Sequence, residues 1–383
     1  MGFIKRCFVF YLYTQMSNKY CRKGSKVEQV PLWVRKGKSS YGLIYFVQKR
    51  REKIMTKDQV LLLLKEQNDY ISGEAMSRKI GVSRAAIHTA VKKLRAEGYE
   101  IVSATNRGYR LEKSVDCLTA GEIRSYLKQE RKAKIIYYEE TDSTNTRLKE
   151  LAQAGEKEGT VVVANAQNAG RGRLGRNFTS GKDKGIYLSI LFRPQNGLNH
   201  IPEITAWVSV CVSKAVERVT GQKPGIKWVN DIVMGGKKIC GILTEMAMEG
   251  ESGYIQYLIV GIGINVHYKT SDFPKELQEK ASSLDAVLGK TVNRAELAAA
   301  VIEELDSMYE NWPTKKAEYL EYYRQACVNT NKQVRLLKNK EEKFGTALEI
   351  TDNFGLLVEY EDGTREEVSS GEVSVRGIYG YMD

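Results

Sequence analysis

An α+β protein of several domains is predicted, on three observations. At 383 residues the chain exceeds one ordinary domain and leaves room for two to four. The period of its apolar pattern changes along the chain: helical near residues 56–95, mixed through the middle, and short alternating strands from Asn331 onward. Those changes mark domains at 55–115, 116–327 and 328–383, behind a basic extension at 1–54.

Charge and cysteine content narrow the class. The formal net charge is +12, but residues 1–54 hold 13 Lys/Arg against Glu28 and Glu52, so +11 of it lies in the extension. The remainder is close to neutral, and bulk charge says nothing about its partners. The extension mixes apolar pieces such as Phe8-Val9-Phe10 with basic clusters and sustains no period. A secretory signal is disfavoured, because the apolar run is short and no small-residue cleavage site follows. The segment reads as disordered or as a mis-assigned start, with Met55 opening the first orderly pattern. Six scattered cysteines and three histidines offer no zinc ligand set. They suit reduced thiols in a cytoplasmic protein. No apolar run approaches the roughly 20 residues of a membrane helix.

In the first domain Thr56 can cap a helix carrying Val60, Leu61, Leu63 and Leu64. A short helix from Gly73 to Ile80, a turn at Gly81-Val82 and an N-cap at Ser83 lead to a third helix. There Ile87, Val91 and Leu94 form one buried stripe. The opposite face shows Arg84, His88, Thr89, Lys92 and Lys93. Alternating strands at 99–102 and 108–111 flank a turn with Arg107 at its tip. That plan is a winged helix-turn-helix, with one helix for the major groove and a basic wing for the backbone. A merely solvated polar face is the competing reading. Turn, cap and hairpin together favour DNA, with Ser83, Arg84, His88, Thr89, Lys92 and Arg107 as candidate contacts.

The middle domain opens on a helix predicted over Leu118 to Glu130, with Thr119 and Glu122 at capping-box spacing. A strand at 135–138 runs into Asp142-Ser143-Thr144-Asn145 and a helix from Thr146. Those polar residues can cap the helix, bind a ligand, or do both. Next, the β-branched run 160–163 enters Gly170-Arg171-Gly172-Arg173-Leu174-Gly175-Arg176, which returns through the strand Gly185 to Phe192. Glycines let backbone approach a ligand, and arginine forks match carboxylate and phosphate oxygens. The loop also satisfies G-x-G-x-x-G, yet no helix opens after it and no acid lies about 20 positions on, so the dinucleotide-fold reading fails. An anion-binding loop is the better reading than a solvated basic one, given the apolar strand on each side.

After a helix at 204–220 come the strand ending Lys227-Trp228-Val229-Asn230-Asp231 and a hairpin whose second strand carries Lys238 and Gly241. Gly261 and Gly263 bare one face of the strand 257–266, a seat for a flat ligand. Residues 296–323 read as helical with a break at Trp312-Pro313. Strands at 334–337, 346–350, 356–360 and 366–368 then make a small β-barrel.

In order and spacing, the 142–145, 170–176, 227–231, 238–243 and 261–265 motifs resemble those of the biotin–protein ligases, specifically the bifunctional class that represses biotin genes. The resemblance spans residues 55 to about 380. It implies a central antiparallel sheet with flanking helices, like class II aminoacyl-tRNA synthetases, and an SH3-like barrel at the end. It implies that biotin and Mg-ATP give biotinyl-adenylate, from which a lysine of a biotin carboxyl carrier domain takes the biotin. Operator DNA as a second partner, a homodimer when the adenylate is bound, and no membrane association are implied too.

Adenylation brings two anions together, so cations are the main thing a protein can supply. Arg171 and Arg173 are therefore assigned to carboxylate and phosphates, Lys238 to the α-phosphate, and Asp231 to Mg²⁺. By resemblance Ser143, Thr144, Asn145 and Gln167 bond the biotin within a wall that includes Gly170 and Gly172, while Gly241, Gly261 and Gly263 admit it closely. Arg173, Arg176, Phe178, Asn230 and Asn265 are the ATP residues. The chain departs from the family at Val229, where many relatives have proline, at Phe178, where a tryptophan often stacks on adenine, and at Leu174, usually basic or variable. Two further readings stay open: a ligase whose winged helix no longer reads an operator, and a biotin-sensing regulator without transferase activity. Lys238 and the intact loop speak against the regulator, and the 84–93 helix against the silent winged helix.

Overall fold

The computed structural model describes residues 56–377 apart from 68, 196–197, 250–254, 339–340 and 370–373. The basic extension at 1–54 lies outside the described residues. The first domain comprises α1 (Thr56–Glu66), α2 (Gly73–Ile80), α3 (Arg84–Ala96), β1 (Glu100–Ala104) and β2 (Gly108–Lys113). Ser72 and Ser83 cap α2 and α3 by accepting from the amides three residues on, and Gly81 ends α2 in the left-handed region. The predicted stripe of Ile87, Val91 and Leu94 is buried with Val60, Leu61, Leu64 and Met76 in a core of its own.

The helix expected over 118–130 is shorter, α4 (Ala120–Tyr126), with Thr119 as its cap. Beyond it the chain is drawn off the helical path: the Lys128 amide bonds Glu303, and Arg131 is buried against Asp306 and the carbonyls of Ala133 and Gly159. Then follow β3 (Ile135–Tyr138), α5 (Thr144–Gln153), β4 (Val161–Ala164), β5 (Gly185–Phe192), α6 (Ile204–Thr220), β6 (Gly225–Lys227), β7 (Asp231–Met234), β8 (Lys237–Met248) and β9 (Ile255–Asn265). Their seven-stranded sheet has the order β3-β4-β5-β9-β8-β7-β6.

The sheet is mixed rather than wholly antiparallel: β3 and β4 are parallel and every other pair is antiparallel. The cause is α5, a crossover that returns the chain to the end from which β3 started. The short α7 (Leu284–Leu288) precedes α8 (Arg294–Asn311) and α9 (Lys316–Ala326), which are separated at the predicted Trp312-Pro313 break. Helix α6 is apolar almost all round because it is enclosed by the sheet and α8, with Trp207, Val208, Cys211 and Val212 fully buried. The C-terminal module is an antiparallel sheet of β10 (Lys332–Lys338), β11 (Glu341–Ile350), β12 (Leu356–Tyr360), β13 (Arg365–Val368) and β14 (Ser374–Gly377), with β13 and β14 at its edges among the described residues. Trp228 anchors it to the central domain, its indole N–H donating to the Phe354 carbonyl at 2.9 Å. Among the described residues no helix is long and apolar enough to cross a membrane.

Candidate active site

Strand β4 is buried along its whole length and delivers the chain to the arginine loop. The loop folds back on itself: the Gly172 amide donates to Arg176 at 2.7 Å and the Phe178 amide to Gly170 at 2.9 Å. Its tip takes left-handed backbone at Leu174 (φ 57°) and Gly175 (φ 71°), and Leu174 is 71% exposed. Gly170 does not line the cavity. It is glycine because a Cβ there would lie 2.5 Å from the Phe178 carbonyl oxygen and 2.6 Å from Ser180 Oγ.

One side of the site is a buried hydroxyl and amide network. The Thr144 amide and hydroxyl donate to Gln167 Oε1 at 2.8 and 3.2 Å, and Gln167 Nε2 donates to Ser180 Oγ at 2.9 Å. Ser143 occupies the N-cap position of α5, yet its hydroxyl makes no capping bond. Capping thus leaves this hydroxyl, on a residue 4% exposed, for the cavity it lines. Asn145 lies 2.2 Å from where a Cβ of Gly261 would stand, so that glycine makes room for Asn145. Gly263 instead leaves room for the Phe178 ring, 2.4 Å from its would-be Cβ, and Gly241 for the Lys238 side chain, whose Nζ lies 2.9 Å from that position with the Phe178 ring at 3.3 Å. The bare strand face read from the glycines is therefore covered by protein groups here.

On the other side Lys238, at the start of β8, reaches back to Asp231 of β7, Nζ to Oδ1 2.5 Å. Arg173 donates to Asn230 Oδ1 at 3.0 Å, and Asn230 is itself oriented by its bond to the Ile242 carbonyl. Burial pulls the Arg173 pKa down while Asp231 opposes that shift. Asn265 is 4% exposed and donates to the Ser282 carbonyl, facing the loop that carries Phe273, Leu277 and Lys280. Arg176 lines the same space from the arginine loop.

Two adjoining cavities result. One, of about 60 Å³, is walled by Ser143, Thr144, Asn145, Gln167, Arg171 and the glycine strands. The other, of about 300 Å³, is walled by Arg176, Lys227, Asp231, Asn265 and the Phe273–Ala281 loop. Gly172, Arg173, Phe178, Asn230 and Lys238 line both. Arg171 and Lys238 therefore both line the smaller cavity. Among the described residues no group of three or more His, Cys, Asp or Glu side chains is arranged to hold an ion. A magnesium at Asp231 would draw most of its ligands from water and phosphate, as that ion commonly does.

Sequence reasoning missed Glu245. Its carboxylate accepts from Asn145 Nδ2 at 2.7 Å and from Arg171 at 3.2 Å, so it holds both a wall residue and the loop. The available signal was alternation: Gly241, Leu243 and Glu245 fall on one face of β8. Ser189, fully buried with its hydroxyl at 2.7 Å from Thr144 Oγ1 and 2.6 Å from Asn145 Oδ1, was missed as well.

In the first domain Arg84, His88, Thr89 and Lys92 are exposed along one face of α3. Ser83 is spent on its cap, and Arg107 is no free cation: it pairs with Asp69 at 2.9 Å and lies over the Tyr70 ring at 4.4 Å.

Residues 137–265 match the model of the biotin/lipoate A/B protein ligase family, residues 56–110 an HTH domain, and residues 330–376 the biotin protein ligase C-terminal domain. The chain is 35% identical over 320 residues to the bifunctional ligase/repressor BirA of Bacillus subtilis, covering 82% of this chain and 97% of that protein. The Escherichia coli protein of the same description is 29% identical over 318 residues, 82% of this chain and 96% of its own length. Among solved structures, the biotin protein ligase from Aquifex aeolicus in complex with biotin and ATP is similar at TM-score 0.55 and 31% identity, covering 64% of this chain and 99% of that one.

Proposed function

The chain belongs to the family of bifunctional biotin ligase/repressors, and from that premise we propose that it makes biotinyl-5′-adenylate, passes the biotin to a lysine of a biotin carboxyl carrier domain, and represses biotin genes with the adenylate as corepressor. It is a biotin ligase carrying a DNA-binding helix-turn-helix. The observation that carries the finer reading is that Arg173, Asn230 and Lys238 line both cavities. Biotin in the smaller space would present its carboxylate, and ATP in the larger its α-phosphate, at that shared boundary.

In the first step a carboxylate oxygen attacks the α-phosphorus and the bond to pyrophosphate breaks. No general base is needed, since the nucleophile is already ionised. Negative charge gathers on phosphoryl oxygens, and Lys238, Arg171 and Arg173 are the cations we assign to it. Lys238 must exchange Asp231 for the phosphate, and Asp231 is then the carboxylate we assign to magnesium, which screens phosphate charge when bound. Ser143, Thr144, Asn145 and Gln167 would orient the biotin, and the folded arginine loop would keep water from the mixed anhydride. In the second step the acceptor amine attacks the acyl carbon, AMP leaves, and the nitrogen loses a proton.

Purified protein given biotin, ATP, Mg²⁺ and an unbiotinylated carrier domain is expected to biotinylate it, and Lys238→Ala to lower the rate by about 10²–10³-fold. Wild-type protein that releases no AMP and transfers no biotin would return the regulator reading. Undiminished turnover in the variant would remove Lys238 from the chemistry.

A further inference from the structure

We propose that His267 is a positioning residue that ties the wall of the larger cavity to the segment joining the winged helix to the catalytic domain, so that ligand in that cavity is felt by the DNA-binding domain. This rests on reading the cavity as the nucleotide site.

His267 lies two residues past Asn265, the last residue of β9, and its backbone amide donates to the Lys184 carbonyl at 2.8 Å. Each ring nitrogen meets a carboxylate at 2.7 Å: Nε2 that of Asp116, Nδ1 that of Asp285. Both partners are acceptors, so the geometry suits an imidazolium donating from both sides.

Asp285 is the cavity end of the tie. It lies in the first turn of α7, which Ser283 caps, and its backbone amide donates to Val266. The chain leading into that cap is the cavity wall. Lys280 accepts from the Lys238 amide at 2.8 Å, Ser282 donates to the Lys238 carbonyl at 2.9 Å, and Asn265 bonds the Ser282 carbonyl. Closing the Phe273–Ala281 loop on a ligand therefore moves a segment fastened to His267.

Asp116 is the other end. It sits between β2 and α4, where Val115 and Cys117 pack against the winged-helix core while Leu118 is buried in the central core. Arg294, 1% exposed at the start of α8, grips it three ways: Nε to the carboxylate at 2.7 Å, backbone amide to the carboxylate at 2.9 Å, and guanidinium to the carbonyl at 3.0 Å. The same guanidinium reaches Asn165, at the mouth of the arginine loop, at 2.9 Å. One residue beyond Asp116, the Cys117 sulfur meets the Tyr99 hydroxyl, which donates to the fully buried Glu122 at 2.7 Å. Lys65 of α1 pairs with that same carboxylate. Lys65 of α1 and Tyr99, in the connection between α3 and β1, thus bond the segment that follows Asp116.

The test is amide hydrogen exchange on the full chain, with and without biotin plus Mg-ATP. In wild-type protein the ligands are expected to slow exchange around both cavities, over residues 114–126, and across residues 56–113. In His267→Gln the cavity protection is expected to persist, and kcat for carrier biotinylation to stay near wild type with a raised KM for ATP. Ligand-induced protection over 56–126 should fall by about 5-fold or more. Full protection over 56–126 in the variant overturns the proposal, and so does wild-type protein in which ligand leaves 114–126 unchanged. If ligand protects neither cavity and no biotin is transferred, it is the nucleotide reading that fails. Should His267→Gln not fold, Asp116→Asn cuts the same tie from the linker side and is judged by the same outcomes.

Discussion

Asn145 fills the space that a side chain at residue 261 would need, and Ser189 and Glu245 hold it there. A methyl group at 261 would meet a buried amide 2.2 Å away that has nowhere to go. At 263 it would meet the far edge of the Phe178 ring, the outer end of a side chain rather than a buried amide. Gly261→Ala is therefore expected to lower stability by about 1–3 kcal/mol, the usual cost of overpacking, and Gly263→Ala by less. Thermal unfolding of the two variants checks the order, and equal losses would mean that Asn145 can yield. From the sequence both glycines had the same meaning, a bared strand face. Their different occupants were illegible because a glycine says only that something lies close. Glu245 stayed hidden for a related reason: its partner Asn145 is 100 residues away, and alternation alone could not name it.

At the scale of elements, what was legible is what local chemistry decides. Ser83 before an apolar stripe is a cap, Pro313 after Trp312 breaks a helix, and strands β4 and β5 flank the glycine-arginine loop as their composition requires. The extent of α4 was not legible, because contacts with α8 end it. Nor was the parallel β3–β4 pair, whose direction depends on where α5 packs. Helix α3 carries the element-scale prediction. Its exposed Arg84 and Lys92 face away from the domain core, and each phosphate contact adds about 0.9 to the slope of log affinity against log salt. Arg84→Ala with Lys92→Ala is expected to weaken operator binding and to flatten that slope by about 1.8, while carrier biotinylation is unchanged. Filter binding or anisotropy over a salt series measures it, and an unaltered slope would take the helix out of the groove. Arg107 should contribute less than its position at the wing tip suggests, since it must first leave Asp69 and the Tyr70 ring.

Across the whole molecule, the two domains meet on charge as well as on apolar surface, and charge makes the junction depend on pH. Burial pushes the Asp116 carboxyl up, but His267 and Arg294 outweigh it and hold the group down to about 2. Burial likewise disfavours the His267 imidazolium, and Asp116 and Asp285 outweigh it to raise its pKa above the ordinary value of 6.5. A depressed carboxylate stabilises the fold above its unfolded value near 3.8 and loses that contribution as pH falls toward about 2. A raised histidine acts in the opposite sense: its contribution is complete below 6.5 and disappears as pH climbs through the folded value. The junction is thus expected to be strongest between these limits and to weaken on the alkaline side. Urea midpoints taken upward from pH 6 should decline in wild-type protein and decline less in His267→Gln, where no imidazolium exists to lose its proton. Parallel declines in the two proteins would mean that His267 does not carry the alkaline loss.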